Sequence, residues 1–172
     1  VAYFMMDNEI YGLTKGQVAP TTPAGDKTKS TPYGNPEPSV DPCELAISFG
    51  ATWVARSFSG DLKGTVELMV KALSHRGFAF LNVMSPCVTW RGDDQFKTLK
   101  AKQRVVPPDH DPTSRPAALA YTRETEFVTT GVLYEVDEPS FLDRLAGVRK
   151  IALAGKPAPT VADIIKTFQP SF

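Results

Sequence analysis

The chain has 172 residues, 19 basic and 19 acidic side chains, a formal net charge of zero, and 42% hydrophobic against 22% charged content. That length holds one domain with a real core, and the even charge argues against a nucleic-acid or membrane-surface partner, which calls for a basic excess. No apolar run approaches a membrane span and no basic signal-like segment opens the chain, so its two cysteines are expected as thiols in a reducing, cytoplasmic setting.

Residues 1–6, VAYFMM, form a continuous apolar run, the pattern of a strand buried on both faces. Residues 15–40 are rich in Gly, Pro, Thr, Lys and Ser and read as one loop, of a length that is usually functional or disordered. Asp41-Pro42-Cys43-Glu44 then opens a helix: Asp41 caps it, Pro42 suits its first turn, and Glu44 completes a capping box. Leu45, Ile47 and Phe49 supply apolar surface before Gly50 ends it. Residues 52–58 predict a second strand. A second helix follows from about Asp61, with Ser59 as its cap. Leu62, Val66, Met69, Val70 and Leu73 form one apolar stripe on it, and Gly77 is its stop. Residues 78–84 are a third buried strand.

This order of strand, long loop, helix, strand, helix, strand is half of an open parallel α/β sheet. After Ser85 the pattern loosens. Residues 86–116 read as loop with one short helix near 94–103. Residues 127–136 read as a strand or hairpin arm interrupted by Gly131, and residues 161–168 as a terminal helix capped by Thr160. The expected fold class is α/β, with a partial open parallel sheet over residues 1–92 and an irregular C-terminal extension over residues 93–172.

Open parallel sheets bind ligands just past the carboxyl ends of their strands. The candidate segments are therefore Asp7-Asn8-Glu9-Ile10-Tyr11-Gly12, Arg56-Ser57-Phe58 and Ser85-Pro86-Cys87. Two readings stand for the first. Asn8 and nearby carbonyls suit a hard cation such as Mg²⁺ that shares its shell with phosphates, or Asp7 and Asn8 make an Asx-type turn. Gly12 and Gly16 permit close backbone approach, and Thr14 and Lys15 suit an anion. Cys87 fits either a small buried core residue or a thiolate ligand of an iron–sulfur cluster. Cys43 lies in a helical first turn, where a thiol can be activated, but its apolar neighbours favour the core. His75 and His110 lie far apart without metal-ligand spacing, which argues against a zinc site built from this chain alone. Lys97, Lys100 and Lys102, with Asp93 and Asp94, read as a solvated face.

Taken in order, MMDNEIYGLTKGQ, APTTPAG, KTKSTPYGN, LAISFGATWVAR, HRGFAFLNVMSPCVTW and TTGVLYE resemble the β subunit of 2-oxoacid:ferredoxin oxidoreductases. The 2-oxoglutarate and pyruvate enzymes belong to that family. The resemblance implies a thiamine diphosphate-binding fold whose diphosphate is anchored through Mg²⁺. Asn8 would give the metal a side-chain oxygen and Ile10 its carbonyl. Tyr11, Gly12, Leu13 and Thr14 would line the diphosphate and thiazolium side, and Lys15 would lie beside the oxoacid, which makes Thr14 and Lys15 the candidate catalytic residues. Cys87, in SPCVT, matches the last of four cysteines that hold a [4Fe-4S] cluster.

The implied activity is oxidative decarboxylation of a 2-oxoacid to acyl-CoA, with KTKSTPYGN favouring 2-oxoglutarate. The implied partners are an α subunit, coenzyme A and ferredoxin. The family's Gly-Asp-Gly metal-ligand segment and its other cluster cysteines do not occur ahead of Asn8 in these residues. The chain alone is therefore expected to bind neither cofactor well, the other half of the site coming from a further segment or a separate chain. Ala19 also departs from an expected Ser. Non-oxidative decarboxylation or carboligation is the alternative chemistry, against which Cys87 counts. A purely structural or interaction role is the alternative class.

Overall fold

Two strands buried at every position, β2 (Trp53–Phe58) and β3 (Ala79–Met84), form the centre of the fold in the computed structural model, which describes residues 1–124, 126–154 and 159–168. β1 (Ala2–Asp7) and β2 flank β3 and run parallel to it, and Asp7 and Phe58 both lie opposite Met84. The three carboxyl ends are therefore level, the condition for a ligand site across them. β5 (Val128–Glu135) adds antiparallel to β2, and β4 (Gln103–Val105) adds parallel to β5, giving the order β1-β3-β2-β5-β4.

Helices cover both faces, as a parallel sheet requires. α1 (Pro42–Ser48) and α5 (Arg115–Thr122) put Cys43, Ile47 and Ala118 against Val54, Phe80 and Leu133 on one face. α2 (Leu62–Ser74) puts Leu68 and Ala72 against Trp53, Ala55, Leu81 and Val83 on the other. After β3 the chain turns into α3 (Val88–Arg91) and α4 (Asp93–Lys102). The compact unit that contains the sheet is Val1–Glu138. A second unit, Pro139–Phe172, contains α6 (Phe141–Leu153) and α7 (Val161–Thr167), each opened by a complete capping box, Ser140 with Asp143 and Thr160 with Asp163.

Several local expectations change. β1 is not buried on both faces: among the described residues it pairs only with β3, which leaves Tyr3 and Met6 55% and 59% exposed. In α2 it is Thr65, Leu68 and Ala72 that face the sheet, while Leu62, Val66, Val70 and Leu73 are exposed. Thr65 and Ala72 are small enough to let the helix lie close to the sheet, and Leu68 with the partly buried Met69, the one member of the expected stripe that turns inward, packs against it. The α2 cap is Asp61, whose carboxylate accepts the Gly64 N–H at 3.0 Å; Ser59 instead donates its N–H to the Met84 carbonyl at 2.9 Å. Asp41 does cap α1, accepting from Glu44 N at 2.9 Å, but the Glu44 carboxylate turns outward to Arg123 at 2.6 Å rather than closing a capping box.

Candidate functional site

Where β1 ends, the chain makes two Asx turns in succession. Asp7 Oδ1 accepts from Glu9 N at 3.1 Å and Asn8 Oδ1 accepts from Ile10 N at 3.1 Å. The turn forces Glu9 to φ +55°, a conformation that residues with a Cβ adopt only when their surroundings impose it. Asp7 is buried and takes a further bond from Thr21 Oγ1 at 2.7 Å. Of the two readings of DN, the turn is present. It does not exclude the metal, because a carboxamide oxygen keeps a second lone pair.

Residues 11–17 then close a small loop. Tyr11 N donates to Gln17 O at 3.0 Å, Gly16 N to Tyr11 O at 2.9 Å and Lys15 N to Gly12 O at 3.1 Å. Lys15 and Gly16 both have left-handed backbones, with φ +77° and +92°. Ile10 is buried under the loop and its carbonyl accepts from Gly12 N at 3.0 Å. The tip is open: Leu13 is 100% exposed, and among the described residues the N–H groups of Leu13 and Thr14 donate to no acceptor. Thr14 Oγ1 bonds Gln17 Oε1 at 2.6 Å, and Lys15 is exposed without an ion-pair partner among the described residues.

α3 packs against this loop. A Cβ added to Gly12 would sit 3.4 Å from Trp90 Cδ1 and 3.7 Å from Cys87 Sγ, and one added to Gly16 only 2.9 Å from Trp90 Cε3. The indole thus lies on the two glycines, with Lys29 Nζ 4.6 Å from its ring centroid. Cys87 is a free, half-buried thiol brought to the edge of the same loop. Cys43 is different: it is fully buried, donates weakly to Ala55 O at 3.7 Å, and burial pushes its thiol up to about 12, so it is a core residue and not a reactive one.

Sequence reasoning missed a polar cluster around Glu9. Its carbonyl accepts from Thr22 Oγ1 at 2.6 Å and from Arg91 Nη1 at 3.2 Å. Its carboxylate lies 3.4 Å from Arg91 Nη2 and accepts from Gln95 Nε2 at 2.6 Å, and Arg91 also pairs with Asp26. Burial pushes the Glu9 carboxyl up to about 7, with Asp7 and Asp26 adding to the rise and Arg91 and Gln95 opposing it. A cavity of about 530 Å³ opens beside this cluster, lined by Asp7, Thr21, Asp41, Arg56, Asn82 and Met84. Arg56, buried on β2, forms an ion pair with Asp41 there.

The residues present fit a divalent cation and a diphosphate. Asn8 Oδ1 and the Ile10 carbonyl are hard oxygen donors on one turn, and the two free N–H groups of Leu13 and Thr14 are the donors an anion needs. A cluster fits less completely. Cys87 offers one thiolate, and among the described residues no group of three or more His, Cys, Asp or Glu side chains could hold a metal ion. No helix among them is long and apolar enough to cross a membrane.

Comparison with known proteins finds similar chains. Residues 1–83 match the family model described as thiamine pyrophosphate enzyme, C-terminal TPP binding domain, and residues 87–150 match the model for the C-terminal part of the pyruvate ferredoxin oxidoreductase beta chain. A 2-oxoacid:ferredoxin oxidoreductase subunit beta from Saccharolobus solfataricus is 34% identical over 93% of this chain and 60% of its own length. The 2-oxoglutarate synthase subunit KorB from Methanocaldococcus jannaschii is 45% identical over 51% of this chain and 32% of its own. Among solved structures, 2-oxoglutarate:ferredoxin oxidoreductase from Magnetococcus marinus, with 2-oxoglutarate, coenzyme A and succinyl-CoA bound, superposes with a TM-score of 0.87 at 35% identity, covering 98% of this chain and 58% of that one. The chain thus spans about three fifths of the length of the relatives it matches over most of its own residues.

Proposed function

This chain belongs to the 2-oxoacid:ferredoxin oxidoreductase β-subunit family, and we propose on that premise that it supplies the diphosphate side of a thiamine diphosphate site. The enzyme it serves oxidatively decarboxylates a 2-oxoacid, 2-oxoglutarate foremost, to its acyl-CoA and passes the electrons to ferredoxin. Asn8 Oδ1 and the Ile10 carbonyl would hold Mg²⁺. The N–H groups of Leu13 and Thr14 would donate to the diphosphate, with Tyr11 and Gly12 along its path. Lys15, exposed at the loop tip, would meet a carboxylate of the oxoacid as a charge-assisted donor, and Thr14 would flank the reacting group. Thiamine diphosphate, when bound, supplies the carbon nucleophile and electron sink for the oxoacid carbonyl. An α subunit and coenzyme A complete the system, and two free thiols suit a cytoplasmic setting.

The observation that carries the oxidative reading is Cys87, whose sulfur lies within 3.7 Å of where a Gly12 Cβ would stand. A [4Fe-4S] cluster ligated by Cys87 would sit beside the cofactor loop, where electrons leave; decarboxylation without oxidation has no use for it. In the assembled enzyme, coenzyme A-dependent reduction of ferredoxin by 2-oxoglutarate is expected, together with bound iron and acid-labile sulfide. Cys87→Ser should lower the iron content and stop ferredoxin reduction while thiamine diphosphate still binds. An iron-free preparation that decarboxylates 2-oxoacids at full rate would overturn the reading.

A further inference from the structure

We propose that Arg91, together with Gln95 and Asp26, is a positioning group for the cofactor turn: it fixes the backbone of Glu9 and thereby the aim of the Asn8 and Ile10 oxygens on either side. The inference rests on the thiamine diphosphate reading above. Glu9 contacts neither cofactor nor substrate in that reading, yet its N–H, its carbonyl and one of its carboxylate oxygens are all engaged. Its N–H is held by Asp7, its carbonyl by Thr22 and Arg91, and its carboxylate by Gln95 and Arg91. Those partners come from the strand end, the long loop, α3 and α4, so four segments converge on one residue.

The conformation explains why. Glu9 sits at φ +55°. Relaxation toward the ordinary helical or extended region would rotate the Asn8 and Ile10 peptides relative to each other, and their two oxygens would no longer share a metal. Arg91 is suited to prevent this. Its planar fork reaches the Glu9 carbonyl with one nitrogen and both carboxylates, Glu9 and Asp26, with the other. Its single charge also offsets part of the repulsion among Glu9, Asp26 and the diphosphate. Gln95 fixes the Glu9 carboxylate oxygen that also lies nearest Arg91.

The test is the affinity of the assembled apoenzyme for thiamine diphosphate at saturating Mg²⁺, measured by titration, with thermal unfolding of the same apoprotein alongside. Residues that orient metal ligands change metal affinity by about 10- to 100-fold when removed. Arg91→Gln is expected to weaken cofactor binding by that factor, while kcat at saturating cofactor falls far less. Arg91→Lys, one point donor in place of a fork, should recover part of the loss. If Arg91→Gln lowers the unfolding temperature but leaves the cofactor affinity unchanged, Arg91 is merely structural and the proposal is overturned. Should Arg91→Gln fail to assemble, Gln95→Leu carries the test, since it removes one bond and keeps the ion pairs. Weaker cofactor binding supports the proposal and unchanged binding overturns it. Wild-type enzyme that binds no thiamine diphosphate would instead refute the function on which the inference stands.

Discussion

Gly16→Ala isolates the contact between α3 and the cofactor loop, and its cost can be worked from two separate sources. Gly16 has φ +92°, and placing a Cβ there costs about 1–2 kcal/mol in backbone strain. The new methyl would stand 2.9 Å from Trp90 Cε3 and 3.2 Å from Cδ2, so the indole must move by several tenths of an ångström. That movement forfeits its seat on Gly12 and disturbs the Lys29 contact on its ring, a cation–π pair of about 0.5–1 kcal/mol at exposed sites. Reduced freedom of the unfolded chain returns about 0.4–1 kcal/mol. The net expectation is a loss of about 1–3 kcal/mol, or roughly 2–12 °C in unfolding temperature for a chain of this size. Gly25→Ala is the control: its φ is +83°, but nothing lies within 4 Å of the added Cβ, so only the backbone cost remains. Thermal unfolding of both variants, with tryptophan emission recorded, separates the terms. If Gly16→Ala is no less stable than Gly25→Ala and its emission is unchanged, the packing of Trp90 on the loop is not what the geometry indicates.

Two further outcomes follow from charge. Because the Glu9 carboxyl is pushed from 4.5 up to about 7, the native state keeps its proton between those values while the unfolded chain has lost it. Stability is thus fully present below pH 4.5, falls by about 1.4 kcal/mol per pH unit as pH rises to about 7, and is constant beyond, a loss of about 3 kcal/mol in all. Urea unfolding of the cofactor-free protein at pH 5 and pH 7 measures it, and Glu9→Gln should flatten the difference. Arg56→Met strands Asp41 beside the cavity and is expected to cost about 3–5 kcal/mol, the usual penalty for breaking a buried pair from one side. Adding Asp41→Asn, which keeps a capping side chain on α1, should recover much of that; a double variant as unstable as the single one would show that the charge is not the cause.

The three parallel strands β1, β2 and β3 were legible because their evidence is local, whereas β4 fell in a segment read as loop and helix. The buried runs at residues 53–58 and 79–84, the Asp41-Pro42 helix start and the glycine stops all lie within a few residues of the element they define. Orientation was less legible. In α2 the sequence suggests one apolar stripe that includes Leu62 and Val70, yet the sheet takes Leu68 and Ala72 and leaves those two exposed. The site divides the same way. Asn8, Ile10, Gly12 and Cys87 could be proposed from the sequence because they sit in short motifs. Arg91, Asp26 and Gln95 could not, because their bonds to Glu9 or to one another span 65 to 86 residues and no spacing rule announces them.

The connection from Asn8 to Asp41 shows most clearly what composition cannot decide. Its Gly, Pro, Thr and Ser content suits a disordered segment and a functional loop equally. The structure orders it by polar bonding instead of apolar burial. Asn35 is buried, donates its amide to Thr22 O at 3.0 Å and Glu37 O at 3.1 Å, and exchanges backbone bonds of 2.8 Å with Gly25 and Asp26. Lys29 N reaches Gly16 O at 2.9 Å and Val18 N reaches Ser30 Oγ at 2.9 Å, so the loop doubles back onto the turn it leaves. That return is what delivers Thr21 to Asp7, Thr22 to the Glu9 carbonyl and Asp26 to Arg91. A shorter connection could reach α1 without making those three bonds, and so the length of the loop is itself part of how the turn is held.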